Sequence, residues 1–309
     1  MKNSQLYGGI EAGGTKFVCV VGSGPERIMD EVRFPTTTPD ETLGRVINFF
    51  RPFVASKQIN NIGIGCFGPI DQNTKSPTYG FITATPKLNW SNTDVHGTIQ
   101  RALDVKIAFD MDVNAAALGE TVWGASQSLD PSLYLTIGTG IGGGYIKDGK
   151  PLIGMLSLEM GHIRIPHSQE RDPFRGACPF HSDCFEGLAS GPAIEKRLGL
   201  TGSLIREDDP FWEIETDYIA SALVNFILTL SPKKIILGGG VMQREFLFPK
   251  IRRRVREMLN GYVASKSILE NIDNYIVHPG LGNQSGSLGA IALAMLATHK
   301  DASPTFVKD

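Results

Sequence analysis

Alternating hydrophobic positions near the start of the chain predict a β-hairpin. The segment GGIEAGGTKFVCVVG (8–22) combines a strand, a Gly-Gly-Thr turn and a second strand. In the second strand Phe17, Cys19 and Val21 alternate with Val18 and Val20. A helix at about residues 40–56 and a buried strand, NIGIGCFG, follow. The turn-rich residues 71–94 predict a long loop, and such loops in compact domains are usually functional.

The second half of the chain opens with a related pattern. SLYLTIGTGIGGGYIKDG (132–149) again predicts strand, Gly-Thr-Gly turn and strand, which indicates an internal duplication. Strands that alternate with helices predict an α/β protein. We expect one domain over residues 1–115, completed by a C-terminal helix at 287–299. A second domain is expected over 116–286, carrying a loop at 162–184, and the tail ASPTFVKD is expected to fray.

Composition excludes several classes of protein. The chain has 309 residues, 41% of them hydrophobic and 20% charged, which is typical of a globular protein. Its net charge of -2 gives no basic field for nucleic acid. We expect no signal peptide, no membrane span and a cytoplasmic location, because no apolar run approaches about 20 residues. The 35 glycines cluster at strand ends, which suggests backbone shaped to approach a ligand.

Two glycine-rich segments match the dinucleotide-binding fingerprint, but their context excludes it. That fingerprint must open a helix, whereas Gly63–Gly68 runs into Pro69 and Gly138–Gly143 runs into another strand. A Walker loop is also absent, since no glycine precedes Lys-Ser or Lys-Thr. What remains is two hairpins tipped with glycine and a threonine hydroxyl. One such hairpin alone would be an ordinary tight turn, but two of them, with Lys16 beside the first, favour phosphate binding.

A third glycine cluster, Gly238–Gly240, follows the apolar strand KKIIL. At the end of a sheet strand it marks where a helix N-terminus or a nucleoside would lie.

Five motifs in order identify a family. IEAGGTKF, DVNAAALGE, IGTGIGGG, LEMGH and CFEGLASGPAI resemble the ROK family (repressors, open-reading-frame kinases and sugar kinases), and within it the bacterial fructokinases. The resemblance runs from about residue 8 to about residue 295. It implies the actin-like ATPase (ribonuclease H-like) fold, in which ATP and sugar lie in a cleft between two related domains. It also implies self-association, most often as a homodimer.

The resemblance assigns ligand-binding positions residue by residue. Those at the phosphates and nucleoside of ATP are Gly13, Gly14, Thr15, Lys16, Thr139, Gly140, Pro192, Gly238, Gly239 and Gly240, with the Gly282–Gly286 turn nearby. Those at the sugar are Glu11, Gly68, Asp112, Glu159, His162 and Glu186. Carboxylates suit a polyol because each hydroxyl must place its proton on an acceptor. Glu11 is typical of the fructokinases, since most of the family has Asp there.

The catalytic base of the family follows a strand and precedes a helix, and here that position is Asp112. Phosphoryl transfer to an alcohol needs a carboxylate only to orient the hydroxyl and accept its proton. A helix N-terminus directly after it would keep the carboxylate ionised. Two alternatives remain at this point: Asp112 only caps the helix, or Asp110 takes either role. Met111 occupies a position where the family usually has an amide.

Four residues have the composition and spacing of a zinc site. His162, Cys178, His181 and Cys184 lie as H-x15-C-x2-H-x2-C, and two sulfur and two nitrogen ligands suit tetrahedral zinc. The surrounding loop lacks hydrophobic periodicity, and structural zinc at about 10 kcal/mol could order it. The family assigns zinc to the same His and to loop cysteines. The alternatives are a Cys178–Cys184 disulfide and His167 as the fourth ligand.

These observations predict an ATP-dependent hexose kinase that makes D-fructose 6-phosphate from D-fructose, with Mg²⁺ on the phosphates and a structural Zn²⁺. Kinases for mannose, glucose or an N-acetylated amino sugar are the near alternatives. A non-catalytic sugar sensor of the same family is a third. A repressor is not expected, because eight residues before Gly9 are too few for a helix-turn-helix module.

Overall fold

The computed structural model describes residues 5–298, which form two compact units. Within the described residues, the first unit contains the chain up to Ser128, Asp148–Ser157 and the chain from Gly280 onward. The second unit contains Leu129–Lys147 and Leu158–Pro279. No helix among residues 5–298 combines the length and apolar character needed to cross a bilayer.

In chain order the strands are β1 (Leu6–Ala12), β2 (Lys16–Gly24), β3 (Arg27–Pro35), β4 (Ile59–Cys66), β5 (Phe81–Ile82), β6 (Thr93–Asp94), β7 (Lys106–Met111), β8 (Ser132–Ile137), β9 (Ile141–Lys147), β10 (Lys150–Pro151), β11 (Lys234–Gly238) and β12 (Ile276–Val277). The α-helices are α1 (Pro39–Ala55), α2 (Val95–Leu103), α3 (Asp112–Val122), α4 (Phe185–Ala189), α5 (Gly191–Leu198), α6 (Phe211–Leu230), α7 (Leu247–Leu259), α8 (Lys266–Leu269), α9 (Ile272–Tyr275) and α10 (Ser285–Thr298).

The first unit is built on a sheet in the order β3-β2-β1-β4-β7. β2 is antiparallel to β1 and β3, whereas β1, β4 and β7 are parallel. The alternation predicted for β2 separates its two faces: Phe17, Cys19 and Val21 join the cluster that contains α1, while Val20 packs against α10. Helices therefore cover both faces, and the strands are buried along most of their length.

Helix α10 lies so close to the sheet and to α3 that glycine is required at the contacts. A Cβ on Gly63 of β4 would stand 1.9 Å from the carbonyl oxygen of Ala290, and one on Gly289 would stand 1.9 Å from that of Ala115. Backbone cannot yield at such distances, so larger residues would separate the elements. α10 thus belongs to the core of the first unit.

The second unit has its own sheet and core. β9 is antiparallel to β8, and β8, β11 and β12 are parallel. Apolar side chains of α6 and α7 complete the core, with Trp212 and Phe248 fully buried. α6 is apolar around most of its circumference, which is typical of a helix enclosed by other elements.

Two sequence-based expectations differ from the structure in detail, and a third lies in part outside the described residues. The expected division after residue 115 falls inside α3, which stays in the first unit because it packs along α10. No α-helix begins at Gly238–Gly240, where a short 3₁₀ turn, Val241–Gln243, follows β11 instead. The expected tail and residue 299 of the expected C-terminal helix lie outside the described residues.

Candidate functional site

The first glycine hairpin forms a rigid turn with exposed polar groups. The Gly13 N–H donates to the Lys16 carbonyl at 3.0 Å, which closes the turn between β1 and β2. Thr36, directly after β3, makes two hydrogen bonds to this turn. Its hydroxyl donates to the Gly13 carbonyl at 2.7 Å and its N–H donates to the Thr15 carbonyl at 2.9 Å. Thr15 and Lys16 remain exposed, so a hydroxyl and a cation project from fixed backbone.

The two candidate acids after β7 have different environments. Asp110 is buried, and its Oδ1 accepts hydrogen bonds from Gln72 Nε2 at 2.6 Å, Asn114 Nδ2 at 2.7 Å and the Met111 N–H at 2.7 Å. Burial raises the pKa of Asp110, although these donors lower it. Its acceptor capacity is used in holding β7, the 71–94 loop and α3 together.

Asp112 is the first residue of α3 and is only half-buried. Its Oδ1 accepts a 2.8 Å hydrogen bond from the Val113 N–H in the first turn of the helix. The N-cap position itself belongs to Met111, which makes no side-chain cap. The backbone thus presents the Asp112 carboxylate at the positive end of a helix, with solvent access that Asp110 lacks.

Met111 and Gly68 form one contact at the ends of β7 and β4. A Cβ on Gly68 would stand 2.7 Å from Met111 Cε and 2.9 Å from its sulfur, so the thioether covers the glycine. The adjacent Phe67 N–H donates to the Ala12 carbonyl at 2.8 Å, which brings the end of β4 to that of β1. Gly68, a predicted sugar-binding residue, therefore lies against Met111, the residue directly before Asp112.

Glu11 occupies a constricted position on β1. Burial raises its pKa, while the charges of Lys16 and Arg33 lower it. A Cβ on Gly286 would stand 2.6 Å from Glu11 Cδ, so the first turn of α10 lies directly against the carboxylate. Within the described residues Glu11 Oε2 has no hydrogen-bond partner although it is buried. An unsatisfied buried acceptor of this kind fits a group that a ligand or a hydrated cation completes.

In the second unit two predicted nucleotide-binding segments, at Pro192 and Gly238–Gly240, converge on a third, the turn Gly138–Gly140. The Gly191 N–H, at the start of α5 beside Pro192, donates to the Gly138 carbonyl at 2.7 Å. A Cβ on Gly138 would stand 3.3 Å from the backbone nitrogen of Gly240. Gly239 has φ +92°, a conformation that favours glycine. The turn is therefore surrounded by backbone, with the Thr139 side chain exposed.

Glu186, Glu159 and His162 lie near one another in the second unit. Desolvation raises the pKa of Glu159, the nearby His162 ring lowers it, and the Glu186 carboxylate raises it. Glu186 Oε2 accepts a 2.8 Å hydrogen bond from the Ile141 N–H, directly after the glycine turn. The predicted sugar-binding acids are thus brought beside the second hairpin.

The four predicted metal ligands converge in a single cluster. The ligand atoms of His162, Cys178, His181 and Cys184 all lie within 4.8 Å of one another. Cys178 Sγ is 3.8 Å from His162 Nδ1 and 3.7 Å from His181 Nδ1, and Cys184 Sγ is 3.5 Å from His162 Nδ1. Both cysteines are free thiols, not a disulfide.

His167, the alternative fourth ligand, lies outside that cluster. Its Nε2 is 3.0 Å from the Asp172 carbonyl oxygen and its Nδ1 is 3.5 Å from Asp183 Oδ2. Asp172 in turn pairs with buried Arg197 at 3.0 Å and accepts from the Tyr218 hydroxyl at 2.7 Å. The side chain of Asp172 therefore anchors the loop to α5 and α6, and His167 is held by polar groups within the loop.

Sequence reasoning missed three polar partners of the predicted residues, Thr36, Gln72 and Asn114, and it missed Arg197, which pairs with Asp172 of the loop. Asn114 stands in a quoted motif, one helical turn after Asp110, and that spacing was a usable signal. The other three are distant in sequence from the groups they hold, and a single sequence carries no sign of those pairings.

Two α/β units, each with a hairpin tipped by glycine and threonine, define a protein of the actin-like ATPase fold. The chain belongs to the ROK family, whose family model matches residues 7–297. It is 47% identical over 298 residues to a putative fructokinase of Bacillus subtilis, covering 96% of this chain and 98% of the relative. It is 44% identical to a fructokinase of Pediococcus pentosaceus, with 94% and 98% covered.

A solved structure gives the same result for the fold. The ROK hexokinase from Thermus thermophilus superposes with a TM-score of 0.78 at 26% identity, covering 96% of this chain and all of that one. The predictions of family, fold class and sugar-kinase activity are confirmed by these comparisons.

Proposed function

We propose that this protein transfers the γ-phosphoryl group of ATP to D-fructose and releases D-fructose 6-phosphate and ADP. The observation that carries this assignment is its 44–47% identity, over nearly the full length, to relatives named as fructokinases. The hexokinase of known structure is 26% identical, so the resemblance is stronger to the ketose kinases.

In this proposal Asp112 orients the sugar hydroxyl and accepts its proton. Its place in the first turn of α3, half-exposed, supports the role. Phosphoryl transfer passes through a loose transition state, so the base acts late and positioning dominates. Asp110 is left with a structural role because its Oδ1 already accepts three hydrogen bonds. Glu11, Gly68, Glu159, His162 and Glu186 are proposed to bind the remaining sugar hydroxyls.

The two glycine turns are proposed to bind the ATP phosphates. From the first unit, Gly14 and Thr15 supply N–H groups, Thr15 a hydroxyl and Lys16 a cation, while Gly13, whose N–H closes the turn, shapes the backbone. Thr139 and Gly140 supply the same kind of donors from the second. The segments at Pro192 and Gly238–Gly240 are proposed to receive the nucleoside, which their convergence on Gly138 supports. Mg²⁺, when bound, would neutralise charge on the phosphates.

The Cys/His cluster fits a structural zinc ion. Zinc–sulfur bonds of about 2.3 Å and zinc–nitrogen bonds of about 2.0 Å put tetrahedral S and N ligands about 3.5 Å apart. The three sulfur–nitrogen separations of 3.5–3.8 Å agree with this geometry. Four protein ligands leave no open coordination position, so the ion would order the loop and take no part in the chemistry. Reduced thiols of this kind fit a cytoplasmic location.

A panel of hexoses tests the substrate assignment. ADP release should be fastest with D-fructose, compared at equal concentrations with mannose, glucose and N-acetylmannosamine, and the product should be the 6-phosphate. A clear preference for an aldose would overturn the fructose assignment while leaving the kinase intact. Sedimentation of the same preparation tests the expected homodimer.

A sensor without catalysis is the competing function within the family. The parent and an Asp112→Asn variant should be compared on every sugar of the panel. Turnover by the parent that the variant loses supports the kinase. If both are inactive although sugar binds, the sensor assignment replaces it.

A further inference from the structure

The hydrogen bond between Glu186 and Ile141 joins two sites that the proposed function treats separately. Glu186 stands among the proposed sugar ligands, whereas Ile141 is the first residue after the proposed phosphate-binding turn. The Ile141 N–H donates to Glu186 Oε2 at 2.8 Å. A Cβ on Gly140 would stand 2.9 Å from the same oxygen, so the carboxylate lies directly against the turn.

The remaining supports of the turn are backbone groups. Gly138 N–H donates to the Gly140 carbonyl at 2.9 Å and the Gly191 N–H donates to the Gly138 carbonyl at 2.7 Å. The Glu186 carboxylate is the only side chain with a hydrogen bond to residues 138–141 among those described for residues 5–298. This bond therefore adds a side-chain support to a turn that is otherwise held by backbone groups.

Glu186 is itself held by the Cys/His cluster. Cys184 precedes it by two residues, and α4 starts directly after that cysteine. The Phe185 N–H donates to the Ile163 carbonyl at 3.0 Å, and the Ala177 N–H donates to the Gly187 carbonyl at 2.8 Å. The short helix is thus bound on both sides to the segments that bring in His162 and Cys178. The backbone that carries the Glu186 carboxylate is therefore fixed on both sides.

We propose that Glu186 is a positioning residue for the nucleotide: its carboxylate fixes the Gly138–Gly140 turn through the Ile141 N–H, so that loss of the carboxylate weakens nucleotide binding even when no sugar is present. The inference rests on the proposed function, in which that turn receives the phosphates. A residue that only contacts sugar would have no such effect.

Calorimetric titration with ADP, without sugar, tests the proposal. Glu186→Met keeps the side-chain length but removes the acceptor, and it should raise the Kd for ADP about tenfold. Glu186→Gln keeps an acceptor oxygen and should bind ADP within about threefold of the parent. Glu195→Met, on the exposed surface of α5, is the matched control for the methionine and should bind as the parent does.

Exchange of the Ile141 amide proton with solvent, followed by NMR, reads the bond itself. It should accelerate in Glu186→Met and stay slow in Glu186→Gln. If the methionine variant does not fold, Gly140→Ala replaces it, because its methyl group would displace the carboxylate and should accelerate the same exchange.

ADP affinity unchanged in a folded Glu186→Met variant overturns the proposal, as does unchanged Ile141 exchange. A parent that binds ADP but phosphorylates no sugar would refute the proposed function alone. The ADP titration and the Ile141 amide exchange do not require turnover. Failure of the positioning proposal can therefore be told apart from failure of the proposed kinase function.

Discussion

Asn114 Nδ2 donates a 2.7 Å hydrogen bond to Asp110 Oδ1, across the junction between β7 and α3. The same oxygen accepts from Gln72 and from the Met111 backbone. This relationship separates the two acids of the DMD sequence, because one is engaged by three donors and the other begins a helix at the surface of the unit.

Replacing Asp112 with asparagine should reduce kcat at least 100-fold, since general-base catalysis typically contributes 10²–10⁴. The side chain keeps its size and its oxygen for the Val113 N–H, so the thermal midpoint should change little. Steady-state kinetics with fructose and ATP, together with a thermal melt, measure both quantities. Asp110→Asn is the matched variant, and it should lower stability more than kcat. The opposite pattern would make Asp110 the base.

Removal of the metal should destabilise the second unit. Inductively coupled plasma analysis should find about one zinc per chain in the parent and none in Cys178→Ser. A chelator should lower the thermal midpoint by roughly 5 °C or more, because the loop has no apolar core of its own. His167→Ala is the control: it removes the side-chain contacts to Asp172 and Asp183 but should retain the metal. Active parent enzyme without metal would disprove the site.

Glu120 should be essential to the stability of the first unit. The buried carboxylate accepts from the N–H groups of Ala125, Gly280 and Leu281 and from the Ser285 hydroxyl, at 2.7–3.0 Å. Glu120→Ala leaves these donors unsatisfied and should lower the free energy of unfolding by roughly 3 kcal/mol. Urea titration measures this.

The matched control for Glu120 is Glu41→Ala. Glu41 is exposed and pairs with Arg45 one helical turn away, so its loss should cost less than about 1 kcal/mol. Equal losses in the two variants would contradict the structural role assigned to Glu120.

Glu215 should make stability depend on pH. Burial raises its pKa well above 4.5, opposed by Arg197 and reinforced by Asp172. The folded protein therefore keeps this proton where the unfolded chain releases it, and that stabilisation is full below pH 4.5 and is lost as pH rises towards the folded pKa. Glu215→Gln cannot ionise. The free energy of unfolding of the variant, relative to that of the parent, should therefore increase as pH rises above 4.5, by about 1.4 kcal/mol per pH unit in that window.

Urea titrations from pH 4 to pH 8 measure the difference. Glu213→Gln, an exposed neighbour on α6, is the control and should give a curve parallel to that of the parent. Parallel curves for Glu215→Gln as well would show that Glu215 titrates normally.

Much of the fold could be predicted because the pattern was strong locally. Helix α1 (Pro39–Ala55) lies within one residue of the helix predicted at about 40–56, and both glycine hairpins are where the alternation predicted them. β3 was missed because most of its residues are partly or fully exposed at the sheet edge, which leaves no hydrophobic signal.

The candidate site was predictable where residue type and spacing carry chemistry, as in the Cys/His cluster. The site was not predictable where two residues of the same type are both candidates and only tertiary packing distinguishes them. Asp110 and Asp112 were both candidates for the base in the sequence, and the structure distinguishes their environments through the burial of Asp110 and the approach of Gln72. His162 and His167 were likewise open alternatives for the fourth metal ligand. The structure places His162 in the cluster, whereas His167 contacts Asp172 and Asp183.

Because α10 fills the core of the first unit, we expect the two units to fold in the reverse of the order in which their first strands are synthesised. A ribosome releases the first strands early, but Gly63 and Gly289 can meet their partners only when the last stretch of chain has emerged. The second unit, by contrast, needs nothing beyond Pro279. The second unit should therefore acquire its native structure before the first, leaving β1 and β2 in need of protection from aggregation until α10 has been synthesised.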